Sequence, residues 1–212
     1  MALSAKVSLF VPCIVEQFLP EIAISTANVL KKAGCEVEFI PEQTCCGQPA
    51  YNSGHAAEAK ALAARFVSLF SKAKYIVTPS GSCAHMVRQV YPELLKEEHA
   101  GVPGKIYELS EFIVNVLNIT DTGSAYAGKA LYHSSCHLLR GLGIKDEPFK
   151  LLRAVKGLEL ILSPASENCC GFGGVVSLKY PHLSEAIVEK KLADMDVTAA
   201  DTVILTDAGC LL

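Results

Sequence analysis

The sequence predicts an α/β protein made of two tandem duplicated small domains, each a parallel β-sheet flanked by helices with cysteines at the carboxyl ends of the strands. Three observations carry that reading. Eight of the nine cysteines form two matched sets, Cys13, Cys45–Cys46, Cys83 and Cys136, Cys169–Cys170, Cys210. The shift between sets barely varies: 123 residues from Cys13 to Cys136, 124 from Cys46 to Cys170, 127 from Cys83 to Cys210. A constant shift over the whole chain marks an internal repeat. Finally, short apolar, β-branched runs precede the cysteines, and helical patterns separate the runs.

The elements follow in order. "KVSLFVPC" (6–13) opens the first half with a strand, and residues 17–33 place Phe18, Ile22, Ile24, Val29 and Leu30 at helical spacing. "CEVEF" (35–39) alternates Cys35, Val37 and Phe39 against Glu36 and Glu38, a half-buried strand in which Cys35 is a core residue. Residues 55–72 form a second helix, "YIVT" (75–78) a third strand, and 84–98 and 109–118 a closing helix pair. "NITDTGSAYAGK" (118–129) reads as a linker, so the domains divide as 1–122 and 123–212. The second half repeats the plan. "KALYHSSC" matches "KVSLFVPC", "LELILSPASENCCG" matches "VEFIPEQTCCG", and "TVILTDAGC" matches "YIVTPSGSC". Helices fall over 147–156 and 182–195, with Pro148 and Pro181 suited to their first turns. Strand–helix–strand order requires parallel pairing through crossover helices.

Composition narrows the function. Half of the 212 residues are apolar, enough for a real core, and 19 basic against 22 acidic residues give a net charge of −3. No basic stripe suggests nucleic acid. No apolar run approaches the roughly 20 residues that span a bilayer, and the amino terminus lacks the pattern of a signal peptide. The chain reads as cytoplasmic, where clustered cysteines point to metal or redox chemistry rather than to disulfides.

In open parallel sheets, sites form outside the carboxyl ends of the strands, where adjacent loops converge. All four cysteines of a set fall on that edge, predicting one pocket per half. Four converging thiols cannot all ionise; they need protons, disulfides or a cation. Zn²⁺ accepts four cysteines, and so does a 4Fe–4S cluster. Adjacent cysteines diverge and suit the separate corners of a cluster, whereas zinc sites favour a C-x₂-C turn that neither half contains. Glycine follows each pair, at Gly47 and Gly171, where the backbone must pass close to a neighbour.

The doubled pattern Cys13…Cys45-Cys46-Gly47…Cys83 and Cys136…Cys169-Cys170-Gly171…Cys210 resembles the cysteine-rich CCG domains of heterodisulfide reductases and of the glycolate oxidase iron–sulfur subunit. "VTPSGSCAHM", "CHLLRGLG", "CCGFGG" and "TDAGC" look closest to the lactate-utilization protein A family. The resemblance runs from residue 6 to the last residue. It implies a cytoplasmic iron–sulfur subunit of a multi-subunit complex that oxidises L-lactate to pyruvate, with other iron–sulfur subunits as partners and a small 2-hydroxy acid as the substrate of the complex. It also implies that Cys13, Cys45, Cys46, Cys83, Cys136, Cys169, Cys170 and Cys210 ligate one or two 4Fe–4S clusters. Heterodisulfide reductases end the motif in CxxC; here Met86 stands three residues after Cys83, which argues against a disulfide-cleaving enzyme. Similar proteins continue beyond the position of Leu212, which implies a second domain shortened at its carboxyl end.

"GFGG" lacks the strand, spacing and acidic partner of a dinucleotide site. His133 and His137 flank Cys136, and Arg140 follows. A histidine can move a proton and an arginine can clamp a carboxylate, so His137 and Arg140 are candidate catalytic residues. The alternative, and the favoured reading, is that they cap the following helix or balance a cluster's negative charge. His85 is a candidate donor beside Cys83; His55, His99 and His182 are expected at helix starts or in solvent. Two further functions stay open: a thiol–disulfide enzyme, and a zinc-stabilised scaffold that docks partner subunits.

Overall fold

A computed structural model describes residues 5–195 and 200–212. β1 (Lys6–Leu9) leads into α1 (Cys13–Phe18) and α2 (Pro20–Lys32), and β2 (Glu36–Phe39) into α3 (Gln48–Asn52) and α4 (Ala56–Phe70). β3 (Tyr75–Thr78) is followed by α5 (Gly81–His85), a π-helical turn Met86–Val90 and α6 (Tyr91–Leu95). β4 (Ile106–Glu108), α7 (Leu109–Glu111) and a second π-helical turn, Phe112–Val116, complete this part of the chain. The repeat resumes with β5 (Ala125–His133), a π-helical turn His137–Gly141, α8 (Asp146–Arg153), β6 (Lys156–Ile161), α9 (Val175–Lys179), α10 (Pro181–Met195) and β7 (Thr202–Leu205).

The strands form two parallel sheets, ordered β2-β1-β3-β4 and β6-β5-β7. Between the central strand and the last strand of each repeat the register recurs: Leu9 of β1 pairs with Val77, and its equivalent Tyr132 of β5 pairs with Ile204. The fold is therefore the predicted α/β duplication with helices on the sheets. β4 is the element that the pattern did not reveal. Its three residues lie between the predicted helices 84–98 and 109–118, too short a run for alternation to register. Phe39, expected beside Cys35 in the core, is half exposed, whereas Cys35 is buried. β2 is an edge strand, so the face that covers Cys35 does not extend over its last residue.

Both faces of the first sheet are packed. On one, Phe10, Phe66, Phe70 and Tyr91 meet edge to face, with the Phe10 and Phe66 ring centres 4.8 Å apart. On the other, Val7, Leu9, Val15, Leu30, Val77 and Phe112 close against α1, α2 and the segment after α7. Each such side chain contributes about 1.5–3 kcal/mol by burial. Among the described residues of the second half, Leu131, Ala165 and Met195 form a smaller cluster, with Tyr132 and Leu138 buried beside it in the chain.

The two halves meet through equivalent loops. Ser80 stands three residues before Cys83, and Asp207 three before Cys210. The Ser80 hydroxyl donates to Asp207 Oδ2 (3.0 Å), the Ser82 amide donates to the same oxygen (2.7 Å), and the Gly81 amide donates to the Thr206 carbonyl (3.3 Å). Pairing of like with like is what a local two-fold between the halves produces. Gly81 makes the approach possible, since a Cβ there would stand 2.8 Å from Leu138 Cβ and 3.2 Å from its backbone nitrogen.

Glu108 ends β4 in full burial and caps α7, its carboxylate accepting from the Ser110 amide (2.8 Å), the Ser110 hydroxyl and the Glu111 amide (3.3 Å). Burial still wins over these donors and pushes the carboxyl up to about 7. The unfolded chain releases that proton near pH 4.3. The folded state therefore holds the proton more tightly. The stability it gains is fully present below pH 4.3 and is lost as pH rises through 7. We predict that Glu108→Gln removes this slope. Denaturant titrations at pH 5 and pH 8 should differ by on the order of 3 kcal/mol less in the variant than in the parent.

Candidate metal centre

Each cysteine of the first set is held by buried backbone contacts at the carboxyl edge of its sheet. Cys13 begins α1, four residues past β1. The loop before it is stapled to the next by Gln43, whose Oε1 accepts from the Val11 amide (2.8 Å) and whose amide group donates to the Leu9 carbonyl (3.5 Å). Cys45 and Cys46 follow β2, and the Tyr91 hydroxyl, buried between helices, donates to the Cys46 carbonyl (2.9 Å). Cys83 lies in α5, its amide donating to Ser80 Oγ (3.3 Å). π-helical turns begin immediately after both Cys136 and the helix that carries Cys83; such turns concentrate at functional sites.

The sulfurs converge as the spacing predicted. Cys13 Sγ lies 3.5 Å from Cys45 Sγ, and Cys46 Sγ lies 3.5 Å from Cys83 Sγ. The Gly47 amide donates to Cys45 Sγ (3.4 Å), and in the second half the Gly171 amide donates to Cys169 Sγ (3.4 Å). Both glycines are left-handed, with φ of +86° and +92°. The repeat thus reproduces a backbone N–H donor to the first sulfur of each pair.

Crowding divides the protons unequally. Hydrogen bonds from Cys13 and Cys46, aided by the Gly47 amide, hold the Cys45 thiol down at about 3, while its proton-bearing neighbours Cys13 and Cys46 are pushed up. The second quartet repeats the alternation. Cys136 and Cys170 are raised by bonding to Cys169, Cys169 is lowered by both, and Cys210 falls to about 6, chiefly through its bond from Cys170. Four sulfurs this close share charge by keeping some protons, which a bound cation would release. This donor set fits a thiolate-ligated iron–sulfur cluster or Zn²⁺. Among the described residues, one trio of donors lies within 4.8 Å of one another: His133, Cys170 and Cys210. The first quartet is instead strung out in contacting pairs, Cys13 beside Cys45 and Cys46 beside Cys83.

The expected two pockets are one. All eight cysteines line a single cavity of about 100 Å³, with Ser82, His137, Phe172 and Asp207 among its walls. The cause is the Ser80–Asp207 pairing, which turns the carboxyl edges of the two sheets toward each other. His137 lies in the wall, its Nδ1 3.8 Å from Cys136 Sγ and its Nε2 3.5 Å from the Gln48 amide nitrogen. Its ring sits 5.1 Å from that of His85, from the other half. Arg140 is outside the cavity wall; it donates to the Glu167 carbonyl (2.9 Å), and its charge favours the thiolates of Cys136 and Cys169. His55 precedes α4 and, like His182, is exposed; His99 closes a 3₁₀ turn.

Sequence reasoning passed over Gln43, Gln48, Ser80, Tyr91, Lys191 and Asp207. A usable signal existed for two of them, the shared offset of Ser80 and Asp207 from the last cysteine of each set. The others come from elements with no counterpart pattern in the repeat.

Fold and site together define a duplicated α/β protein with two facing quartets of cysteines. The cysteine-rich domain CCG matches the chain twice, over residues 7–88 and 130–212. Lactate utilization protein A of Bacillus licheniformis is 47% identical over 213 positions, covering 98% of this chain and 89% of the relative. The proteins of that name from Bacillus velezensis and Geobacillus kaustophilus are each 46% identical over the same extents. The chain belongs to the lactate utilization protein A family of CCG-domain proteins. No helix among the described residues is long and apolar enough to cross a membrane.

Proposed function

We propose that this chain is the iron–sulfur subunit of a cytoplasmic, multi-subunit complex that oxidises L-lactate or a related small 2-hydroxy acid. In this reading residues 1–122 and 123–212 are two domains, and each brings four thiolates to the shared cavity, Cys13, Cys45, Cys46 and Cys83 from one and Cys136, Cys169, Cys170 and Cys210 from the other. The observation that carries it is the convergence of both quartets at the strand ends, with the same N–H···S contact at Gly47 and Gly171. A 4Fe–4S cluster supplies one-electron transfer when bound. The protein's own part is to exclude water, to direct amide donors at the sulfurs and to offset negative charge through Arg140. The name of the relatives, lactate utilization protein A, supports lactate as the substrate of the complex; other iron–sulfur subunits as electron partners are part of the proposal.

His137 is the better placed of the two catalytic candidates, because it faces the cavity and can hold a proton beside Cys136. Arg140, engaged with the Glu167 carbonyl, serves charge balance. The trio His133, Cys170 and Cys210 favours Zn²⁺ as an alternative occupant, since mixed nitrogen and sulfur donors are common around zinc.

Anaerobic reconstitution with iron and sulfide separates these readings. The expected product is brown, absorbs broadly near ~400 nm and carries roughly four iron and four sulfide per cluster. Colourless protein with stoichiometric zinc after purification without oxygen would remove the electron-transfer reading in favour of a scaffold.

A further inference from the structure

We propose that His133 is a nitrogen ligand of the second centre, bonding through Nε2 to the metal that Cys170 and Cys210 hold, so that the two centres of the chain differ in donor set. The proposal rests on the metal-centre reading above.

His133 ends β5, three residues before Cys136, and is buried. Its Nδ1 lies 3.0 Å from the Ser166 carbonyl oxygen. A carbonyl only accepts, so Nδ1 is the donor to Ser166, and in the neutral ring Nε2 is the nitrogen with the lone pair. Nε2 is buried and has no hydrogen-bond partner. The ring lies within 4.8 Å of the sulfurs of Cys170 and Cys210, and Nδ1 is already engaged, so Nε2 is the atom left to serve them. Histidine ligands usually have their second ring nitrogen fixed in this way, by donation to a backbone carbonyl.

The carbonyl is itself held in place. The buried Lys191 ammonium donates to the carbonyls of Ala165 (2.8 Å), Asn168 (2.8 Å) and, at longer range, Ser166 (3.4 Å). The Ser134 amide also donates to Ser166 O (3.1 Å). A lysine stem through the small second core thus sets the turn that sets the imidazole.

The corresponding position in the first half is Phe10, three residues before Cys13, fully buried and packed edge-on against Phe66. The same inward position therefore presents hydrocarbon at one quartet and a nitrogen donor at the other. Imidazole is accepted by iron in iron–sulfur centres and by zinc alike. The inference concerns the donor and holds for either metal.

The test uses Co²⁺, which takes mixed nitrogen and sulfur sites, on the whole chain in its apo form without oxygen. Paramagnetically shifted proton resonances are recorded on protein labelled with ¹⁵N-histidine. The expected result is one strongly shifted, solvent-exchangeable N–H resonance coupled to ¹⁵N, the Nδ1 proton protected by Ser166. It is lost in His133→Ala and kept in His137→Ala. Should His133→Ala fail to fold, the labelled parent and His137→Ala still decide the matter. Shifted cysteine methylene resonances without a histidine signal would overturn the proposal, and so would a chain that takes up no Co²⁺. The electron-transfer reading stands or falls separately, on iron and sulfide uptake.

Discussion

Cys46→Ser is expected to empty the first centre while leaving the second loaded. Iron bound after anaerobic reconstitution should drop by roughly half, with about four iron lost per chain. Cys46 is the most deeply placed of the eight, with its sulfur 3.5 Å from Cys83 Sγ and its carbonyl fixed by Tyr91. Serine offers a harder, far less acidic donor at this buried position, so the thiolate that a metal needs is gone. The hydroxyl would also be buried with a poor partner, costing about 1–3 kcal/mol. Cys170→Ser should give the mirror result, with loss confined to the second centre. Cys35→Ala supplies the control: that thiol lies in the apolar cluster of Val7, Leu30 and Val37. It should lose stability and no iron. Equal loss of iron from Cys35→Ala and Cys46→Ser would mean that loading follows general stability rather than ligation.

Most of the site was legible because the repeat made it so. A single CC pair says little, but two sets at one shift place eight sulfurs on strand ends, and the sheets carry them there. The parts that were not legible have physical causes. Joining two quartets in one cavity depends on Ser80 meeting Asp207 across 127 residues of chain. Periodicity describes how an element meets its own sheet and carries no information about which loops of two sheets will face each other. β4 escaped because three residues cannot show alternation. Phe39 misled because its face of an edge strand runs out of cover. His133 was visible as a neighbour of Cys136, yet its tautomer is set by Ser166 O, a carbonyl 33 residues away.

The second large effect is expected from Gly171→Ala, which should unfold or displace the second Cys-Cys turn, while Gly47→Ala in the same motif is mild. Both glycines are left-handed, and that conformation alone costs an alanine about 1 kcal/mol. Their surroundings differ. A Cβ at Gly47 would meet Leu62 Cβ at 3.3 Å and Ala59 O at 3.4 Å, contacts that a small shift relieves. A Cβ at Gly171 would stand 2.6 Å from the backbone oxygen of Ser184 and 3.2 Å from the Val188 nitrogen. Neither atom belongs to a flexible side chain. They are part of α10, which the Ser184 hydroxyl ties to the Gly171 carbonyl at 2.9 Å. The turn must therefore leave the helix, taking with it the Gly171 amide that donates to Cys169. Overpacking of this kind adds roughly 1–3 kcal/mol to the backbone term. Among the described residues the cluster under β5, Leu131, Ala165 and Met195, is small and offers little packing to absorb the strain. For a chain of this size the total corresponds to a fall in Tm of roughly 4–16 °C, against about 2–4 °C for Gly47→Ala. Metal counting on the same samples should show the loss at the second centre. Equal Tm losses in the two variants would show that both turns rest on conformation alone and that α10 does not press on the second.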